Sequence, residues 1–280
     1  MIGIIEDLTA LRTRIGEWKR AGLRIGFVPT MGNLHAGHHS LVKLAHGHAD
    51  RVVASVFVNP TQFGPNEDFA RYPRTPEADA TGLEAAGCDL LWLPSVETMY
   101  PHGAGATVQV HVPGVAEVLE GAHRPGHFDG VATVVARLFN QVQPDIAVFG
   151  RKDYQQLAVI RYLVRDLAYP VELIAGETLR EPGGLAMSSR NQYLSAAERP
   201  VAAEIQRTLQ QMRAATASGT SRTAVESAAR MALEAHGFAV DYAVLRRPDL
   251  TEPAEGEGGP RVALVAAMLG RTRLIDNLEF

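Results

Sequence analysis

Three histidines and two glycines lie close together in PTMGNLHAGHH, residues 29 to 39, directly after an apolar run. Gly32 and Gly37 let the backbone approach a phosphate closely, and a helix starting here would present free N–H groups to it. An imidazolium at His35 or His38 could donate to phosphate oxygens and stabilise charge that builds on the α-phosphate. The spacing therefore predicts the phosphate-binding turn of an enzyme that acts on a nucleotide. The turn residues expected to contact the nucleotide are Met31, Gly32, Asn33, Leu34, His35, Ala36, Gly37 and His38.

The H-x-x-H spacing also occurs in zinc sites, so metal binding is an alternative for His35 and His38, as is simple hydration at the surface. Zinc needs further ligands, and the sequence contains neither a Cys-x-x-Cys pair nor H-E-x-x-H to supply them. His39, His46 and His48 continue along the same predicted helix, and we expect them on its surface. The pattern thus favours phosphate chemistry and leaves the ligands of any metal unknown.

Polar residues also follow two later apolar runs, as NPTQFGPNEDF (59 to 69) and GRKDYQQ (150 to 156). In an open parallel sheet the ligand lies beyond the carboxyl ends of the strands, so these clusters should share one edge with the first. Turns are polar in any protein, which remains the competing explanation for a single cluster. Three such clusters favour a binding site.

The side chains in these clusters suit a nucleotide and a carboxylic acid. Lys152 can reach phosphates as a point charge, and Gly150 permits the turn before it. Asp153 could cap the next helix, which is the commoner role, or bind magnesium. Gln62 and Gln156 could orient hydroxyls and a carboxylate without quenching its nucleophilicity, although most glutamines are simply surface residues.

A further polar segment, MSSR (187 to 190), lies at the start of the carboxyl-terminal part of the chain. Ser188, Ser189 and Arg190 offer two hydroxyls and a guanidinium to a triphosphate, although the composition alone would also suit an ordinary loop. Its position predicts a lid that closes over the nucleotide and excludes water.

The elements that must position these residues alternate between short apolar runs and longer periodic segments. Strands are predicted at 23–29, 52–58, 89–94, 145–150 and 171–176. Apolar residues at helical spacing predict helices at 39–49, 77–87, 130–142 and 154–167. The alternation is typical of the α/β class, with a Rossmann-like parallel sheet and right-handed crossover helices.

The pattern changes after about residue 178. Alanine-rich helical stretches cover 195–216 and 222–236, and strand-like runs cover 239–245 and 261–269. We therefore expect residues 1–177 to form a Rossmann-like, nucleotide- and substrate-binding domain. Residues 178–280 should form a smaller α+β domain that acts as a lid.

Composition narrows the class of protein. The 280 residues are 46% hydrophobic and 21% charged, which excludes a disordered or low-complexity chain. A net charge of -4 gives no basic footprint for nucleic acid. Cys88 is the only cysteine, so it cannot form an intrachain disulfide, and its apolar surroundings indicate a buried structural residue. No apolar run approaches a membrane span, so we expect a cytoplasmic protein that binds neither nucleic acid nor membrane.

The segment GFVPTMGNLHAGHHSLV (26 to 42) resembles the signature of the pantothenate synthetase family, within the H-x-G-H nucleotidyltransferase superfamily. Four more segments resemble this family in the family's own order. They are FVNPTQFGPNEDFARYPRT (57 to 75), EGAHRPGHFDGVATVV (120 to 135), PDIAVFGRKDYQQL (144 to 157) and LAMSSRNQYL (185 to 194). An isolated H-x-G-H is a weak signal, but five long ordered matches are a strong one.

The resemblance implies an acid–amino-acid ligase that joins (R)-pantoate to β-alanine in two steps. ATP adenylates the pantoate carboxylate and releases pyrophosphate, and the amine then displaces AMP. It further implies that His38 donates a proton, that Gln62, Gln156 and Asn59 bind pantoate, and that Gln62 also lies near β-alanine. Magnesium bound with ATP and a homodimer are implied in the same way.

The resulting site assignments combine the residue chemistry with this resemblance. The catalytic candidates are His35, His38, Lys152 and Arg190. Beyond the turn at 31–38, the candidate ATP ligands are Gly150, Arg151, Lys152, Asp153, Leu179, Met187, Ser188, Ser189 and Arg190. The family usually has glutamate where this chain has Arg151, so that residue is expected to offer mainly its backbone. Arg124 as an anion ligand and Asp79 as a magnesium ligand are weaker candidates.

Two other functions compete with the ligase. A nucleotidyltransferase that leaves the nucleotide on its product would share the H-A-G-H turn, but NPTQFGPNEDF and GRKDYQQL favour the ligase. A nucleotide-binding module without catalysis would not need His35, His38, Lys152 and Arg190 together around the phosphates.

Overall fold

The computed structural model describes residues 2–64, 67 and 69–280, so Pro65, Asn66 and Asp68 of the NPTQFGPNEDF segment lie outside the described residues. The chain forms two compact units. The first comprises residues up to Arg151 together with Val159–Glu177, and the second comprises Lys152–Ala158 and Thr178–Phe280. Most of the segment that follows the fourth predicted strand therefore groups with the carboxyl-terminal residues. A domain boundary after residue 177 stays a prediction.

A parallel sheet forms the centre of the first unit, which confirms the predicted α/β class. Its strands among the described residues are β1 (Gly3–Ile5), β2 (Ile25–Thr30), β3 (Arg51–Val56), β4 (Leu90–Trp92), β5 (Ile146–Gly150) and β6 (Glu172–Gly176). They pair in the order β1-β4-β3-β2-β5-β6, and every pairing is parallel. The five predicted strands are present. β1 was missed because its three residues are too few to show a pattern.

The helices of this part of the chain are α1 (Leu8–Arg20), α2 (Ala36–His46), α3 (Pro76–Ala85), α4 (Val96–Met99), α5 (Glu120–His123), α6 (His127–Val142) and α7 (Tyr154–Asp166). Short 3-10 turns cover Pro60–Gln62, Phe69–Arg71 and Ala104–Ala106. The four predicted helices correspond to α2, α3, α6 and α7. α1 was not predicted, although Asp7 caps it by accepting a hydrogen bond from the Ala10 N–H at 2.8 Å.

Glycines let α2 lie close against the sheet. A Cβ on Gly26 would lie 3.4 Å from the Ala45 Cβ of α2, and one on Gly176 would overlap the Leu41 side chain. Leu41, Val42 and Ala45 are consequently buried against the strands. This packing fixes where α2 begins, and the two histidines of the H-A-G-H segment lie at that beginning.

The second unit contains an antiparallel sheet of β7 (Ala239–Arg246), β8 (Val262–Leu269) and β9 (Thr272–Glu279), in that order, among the described residues. Its helices are α8 (Glu198–Ala202), α9 (Glu204–Ala217) and α10 (Arg222–Ala235), and a 3-10 turn covers Ser189–Tyr193. β9 was not predicted, because Asp276 and Asn277 are adjacent and both only 5% exposed. Two consecutive buried polar residues break the alternation that reveals a strand.

Three smaller sequence predictions can be compared with the structure. Cys88 is buried as expected, and burial raises the pKa of its thiol to about 12. His46 and His48 are exposed, but His39 is half-buried with its Nε2 against Gly82, so its placement on the surface was wrong. Within the described residues, the helices are all too short or too polar to cross a membrane.

Candidate active site

The turn between β2 and α2 has an unusual backbone that Asp79 holds in place. Gly32 and Asn33 have positive φ angles of 86° and 51°. The Asp79 carboxylate is 2% exposed and accepts hydrogen bonds from the Asn33 N–H at 3.0 Å and the Leu34 N–H at 2.8 Å. Thr30 adds a bond from the Gly32 N–H to its hydroxyl at 3.3 Å. Both Asp79 oxygens thus serve the backbone, which explains this buried carboxylate without a metal.

His35 and His38 cap the start of α2. The His35 Nδ1 accepts from the Gly37 N–H at 3.1 Å, and the His38 Nδ1 accepts from the His35 N–H at 3.3 Å. The ring centroids lie 4.2 Å apart with the planes inclined by 47°. The sequence H-A-G-H therefore forms a reciprocal capping box in which histidines replace the usual serine and glutamate.

This capping corrects one expectation about the turn. We expected the helix to present free N–H groups to a phosphate, but those of Gly37 and His38 bond to the side chain and the carbonyl oxygen of His35. Acceptance at Nδ1 requires that atom to be unprotonated, so each ring is neutral with its proton on Nε2. The geometry thus favours neutral Nε2–H donors over the imidazolium form.

Asn59 and Gln62 form a buried amide pair beside this turn. Asn59, 1% exposed, donates from Nδ2 to the Gln62 Oε1 and to the Gly130 carbonyl oxygen, each at 3.1 Å. Its Oδ1 accepts from the Tyr100 hydroxyl at 2.6 Å. The Gln62 Nε2 lies 2.9 Å from the Met31 Sδ. The predicted carboxylate-binding amide is therefore next to the predicted phosphate-binding turn.

Close packing of α6 sets the position of the Pro60–Gln62 turn. Gly130 of α6 lies against it so tightly that a Cβ there would overlap the Thr61 carbonyl group and lie 2.8 Å from the Gln62 Cα. Sequence reasoning singled out neither Gly130 nor Tyr100. A glycine within an otherwise apolar helix was the available signal for such close backbone approach.

Arg124 belongs to a half-buried polar cluster on the same turn. Its guanidinium makes a bidentate ion pair with Glu67, at 2.8 Å from Nε and 2.5 Å from Nη2, and its Nη1 lies 3.0 Å from the His127 Nε2. The His127 Nδ1 lies 2.8 Å from the Gln62 carbonyl oxygen. Arginine can only donate, so His127 accepts at Nε2 and donates from Nδ1 to Gln62. Arg124 is therefore engaged by protein groups, among them the carboxylate of Glu67.

Burial has opposite consequences for the two titratable partners of Arg124. Burial, together with the charge of Arg124, lowers the pKa of His127 to about 4. Burial alone would raise the pKa of Glu67, but the hydrogen bond and charge of Arg124 outweigh it and leave that pKa below its usual value. At neutral pH the cluster therefore contains the ion pairs of Arg124 with Glu67 and, at 3.6 Å, with Glu120, beside a neutral histidine.

The predicted GRKDYQQ cluster is divided between the two units, and Arg151 is its last residue in the first unit. Its N–H donates to the Gly176 carbonyl oxygen at 2.8 Å, and its guanidinium pairs with Glu177 at 2.8 Å. The side chain and the N–H both point to protein partners, so the replacement of glutamate by arginine is accommodated by Glu177. A Cβ on Gly150 would have ample room, with its nearest neighbour 3.8 Å away at Leu41.

The rest of that cluster belongs to the second unit. The Lys152 side chain is 18% exposed, and its Nζ lies 3.6 Å from an Asp153 carboxylate that is 49% exposed. The Asp153 carbonyl oxygen accepts from the Leu157 N–H at 3.0 Å, so Asp153 directly precedes the first residue of α7. Gln156 is half-buried in the first turn of α7.

A hairpin presents the MSSR segment. The Met187 N–H donates to the Leu179 carbonyl oxygen at 2.9 Å, and Arg180 and Ala186 form an antiparallel bridge. Ser188 then starts the 3-10 turn Ser189–Tyr193, with its hydroxyl accepting from the Arg190 N–H at 3.3 Å. Leu179 and Met187, two candidate ATP ligands, are thus joined by a backbone hydrogen bond across the hairpin.

The far side of the MSSR segment is held by Asn191. Its Nδ2 donates to the Glu181 carboxylate at 2.9 Å and to the Ala186 carbonyl oxygen at 3.0 Å. Arg199 completes the cluster with an ion pair to Glu181 at 2.6 Å. Ser188, Ser189 and Arg190 therefore lie on a short segment that is anchored before and after.

Each of the two units thus contains part of the predicted set of site residues. The first brings together the turn at 31–38, Asn59 and Gln62, and the second contains Lys152, Asp153, Gln156, Leu179 and the MSSR segment. Among the described residues, no three His, Cys, Asp or Glu side chains are placed to hold a metal ion. The side chains of the predicted set include cations, amides and imidazoles.

Comparison with known proteins identifies the family. The family model described as pantoate-beta-alanine ligase matches residues 3–279. A pantothenate synthetase of Xanthomonas euvesicatoria pv. vesicatoria is 68% identical over 280 residues, covering 100% of both chains. One of Xanthomonas campestris pv. campestris is 67% identical over 284 residues, again covering 100% of both chains.

Solved structures agree with these relatives. The pantothenate synthetase from Thermus thermophilus is 47% identical, with a TM-score of 0.90 and 99% of each chain covered. The pantoate-beta-alanine ligase from Francisella tularensis, solved with beta-gamma ATP and beta-alanine, is 32% identical, with a TM-score of 0.82 over 99% of this chain and 97% of that one. Since the family model, the relatives and the solved structures agree over essentially the whole length, the chain belongs to the pantoate–β-alanine ligase family.

Proposed function

We propose that this chain condenses (R)-pantoate with β-alanine to form pantothenate, with ATP cleaved to AMP and pyrophosphate. The structural observation that carries this is the 2.9 Å contact between the Gln62 amide and Met31 of the H-A-G-H turn. It puts a neutral group suited to a carboxylate beside the turn that is predicted to bind the α-phosphate. Family membership and the Francisella structure with beta-gamma ATP and beta-alanine support the same substrates.

The reaction requires two displacements. A pantoate carboxylate oxygen attacks the α-phosphorus of ATP, the bond between that phosphorus and the bridging oxygen breaks, and pyrophosphate leaves with the electron pair. The β-alanine amine then attacks the acyl carbon, AMP leaves, and the nitrogen loses its proton as the amide forms. Adenylation needs in-line positioning and cancellation of negative charge more than covalent chemistry by the protein.

His35 and His38 stabilise the charge that develops on the α-phosphate. Their Nδ1 atoms accept from backbone N–H groups, which leaves Nε2–H as the ring donor that each histidine can offer to a phosphate. A preorganised donor of this kind contributes most when charge builds in the transition state. His38 is the better candidate for proton donation by family resemblance.

Lys152 and Arg190 neutralise the triphosphate, with Ser188 and Ser189 donating from their hydroxyls. Lysine acts as a compact charge, whereas the guanidinium of arginine can bind two phosphate oxygens at once. Gly150, Arg151, Leu179 and Met187 contribute backbone and apolar contacts to the nucleotide. The anchors at Glu181 and Asn191 keep the MSSR segment in a defined shape, so any lid movement carries the hairpin as a unit.

Gln62 and Gln156 bind pantoate, and Gln62 also lies near β-alanine. Asn59 has its amide nitrogen and oxygen committed to Gln62, Gly130 and Tyr100, so it serves pantoate by fixing the Gln62 amide. Neutral amides orient the carboxylate and leave its charge available for attack.

Magnesium enters as a complex with ATP in this scheme. Magnesium sites at nucleotides commonly use one or two carboxylates together with substrate phosphates and water. The described residues fit that pattern, because Asp153 offers a half-exposed carboxylate next to Lys152 while both Asp79 oxygens are occupied by backbone N–H groups. Asp153 is accordingly the residue that would hold the ion, which would cancel phosphate charge.

A homodimer, which rests on family resemblance, and a cytoplasmic location, which is the expectation from the sequence, complete the functional proposal. Sedimentation of the purified chain tests the first, since a monomeric mass at micromolar concentration would contradict it. Fractionation of cells that express the chain tests the second.

The direct test uses purified protein with ATP, magnesium and pantoate, with β-alanine added last. We expect pyrophosphate release that depends on pantoate, and AMP and pantothenate that appear in equal amounts only after the amine is added. Retention of the nucleotide on the final product would favour an adenylyltransferase instead. In H38A we expect turnover to fall with ATP affinity largely preserved, whereas loss of affinity alone would indicate a binding protein.

A further inference from the structure

We propose that the adjacent buried residues Asp276 and Asn277 of β9 are positioning residues for adenylation. In a strand, consecutive side chains point to opposite faces, so the pair can hold two different segments at once. Asn277 holds the turn that carries Lys152, and Asp276 holds the hairpin that carries Arg190. This role rests on the proposed function, and all the contacts that define it lie within the second unit.

Asn277 fixes the Lys152 backbone directly. Its Nδ2 donates to the Lys152 carbonyl oxygen at 2.8 Å, and the residue is 5% exposed. Two residues further along the same face of β9, Glu279 accepts from the Tyr154 hydroxyl at 2.9 Å. Lys152 and Tyr154 are thus both tied to one face of β9. The lysine ammonium lies at the end of a flexible stem, so its backbone must be fixed if its charge is to reach the same phosphate oxygens in every turnover.

Asp276 fixes the hairpin from the other face. The Arg180 guanidinium makes a bidentate pair with it, with Nη1 at 2.6 Å and Nη2 at 3.1 Å from the two carboxylate oxygens. The Arg180 Nη1 also donates to the Gly184 carbonyl oxygen at 3.1 Å, inside the hairpin. Because Arg180 is bridged to Ala186, the pair sets the strand that leads into Ser188–Arg190. The two candidate cations of the triphosphate site therefore take their positions from neighbouring residues of one strand.

This arrangement explains why a strand in a small hydrophobic core contains two consecutive buried polar side chains. Stability alone would be served as well by apolar residues, because a buried ion pair rarely outperforms hydrophobic packing. Thr272 provides a contrast on the same strand. It is 2% exposed, and its hydroxyl has no hydrogen-bond partner among the described residues.

The test compares Asn277→Ala and Asn277→Asp with Thr272→Val in the full-length chain. Asn277→Asp keeps the shape and burial of the side chain but replaces the donor with an oxygen. We expect both Asn277 variants to lower kcat for pantoate-dependent pyrophosphate release about 10- to 100-fold, the loss expected for a small misplacement of a charged group. The pantoate KM and the Thr272→Val rate should stay within about twofold of the wild type, because neither depends on the position of Lys152.

A double-mutant cycle separates positioning from folding. In a Lys152→Ala background, Asn277→Ala should reduce the remaining rate by less than about twofold, because its target is already gone. Asp276→Asn should behave in the same way toward Arg190→Ala. Full additivity in both cycles, or a wild-type rate in both Asn277 variants, would overturn the positioning role. Failure of the wild-type chain to release pyrophosphate would instead refute the proposed function, so the two failures are distinguishable.

Discussion

Replacement of Asp79 by asparagine probes the hydrogen bonds that shape the H-A-G-H turn. The asparagine side chain has nearly the same volume, but one of the two oxygens that accept from Asn33 and Leu34 becomes an N–H group. One charge-assisted bond is lost and one buried N–H loses its acceptor, a combined cost of about 3 kcal/mol. For a folded unit of this size, such a cost lowers Tm by about 6–12 °C.

The same substitution should also impair catalysis, because the turn at Gly32 and Asn33 leads directly into His35. We expect kcat for pantoate-dependent pyrophosphate release to fall at least about tenfold in D79N, since small displacements of a charge-stabilising donor have effects of that size. Thermal unfolding and pyrophosphate release on the same preparations provide the measurement. Asp166→Asn is the matched control, because Asp166 is exposed at the end of α7.

A different role for Asp79 would give a different pattern. If Asp79 were a magnesium ligand, D79N would raise the magnesium concentration needed for half-maximal rate and leave Tm close to that of Asp166→Asn. A D79N protein with unchanged Tm and unchanged turnover would refute the assignment of Asp79 to the turn altogether.

Three further predictions concern the same unit. His35→Ala should lower the free energy of unfolding by about 1 kcal/mol, because the helix cap is lost, and should also abolish most turnover. His35→Asn should keep the cap and still lose turnover. Thermal melts and rate measurements on both variants test this. The pKa of His127 is about 4 in the folded chain, and its ordinary value is 6.5. Between pH 4 and pH 6.5, therefore, the unfolded chain binds a proton at His127 and the folded chain does not. Stability should therefore fall by up to about 3 kcal/mol as pH drops from 6.5 to 4, and His127→Asn should remove that slope in urea titrations. Gly130→Ala should displace the Gln62 turn and raise the pantoate KM at least about tenfold. Gly16→Ala is the control, because a Cβ at that position meets no atom within 4 Å, and it should raise the free energy of unfolding by about 0.5–1 kcal/mol. An unchanged pantoate KM in Gly130→Ala would contradict the packing described for α6.

The parallel sheet could be predicted because its strands are short apolar runs separated by helices with clear periodicity. β1 and β9 could not, for two different reasons. β1 has three residues, too few for any pattern. β9 places Asp276 and Asn277 next to each other in the interior, where their partners come from distant parts of the chain.

The candidate site shows a similar limit. The residue types at His35, His38 and Gln62 indicate phosphate and carboxylate chemistry without any structure. The supporting groups Asp79, Gly130 and Tyr100 act through contacts across 46, 71 and 41 positions of sequence, and local patterns do not carry that information. The tautomers of the two histidines likewise depend on capping geometry that spacing alone does not define.

The formation of a pantoyl adenylate is the central chemical claim, and an oxygen-label transfer experiment tests it most directly. Pantoate labelled with ¹⁸O in its carboxylate is incubated with the enzyme, magnesium, ATP and β-alanine, and the AMP is analysed by mass spectrometry. Attack of the carboxylate on the α-phosphorus predicts one ¹⁸O atom in each AMP and the other in the pantothenate amide. Unlabelled AMP, or ADP and phosphate in place of AMP and pyrophosphate, would contradict the mechanism.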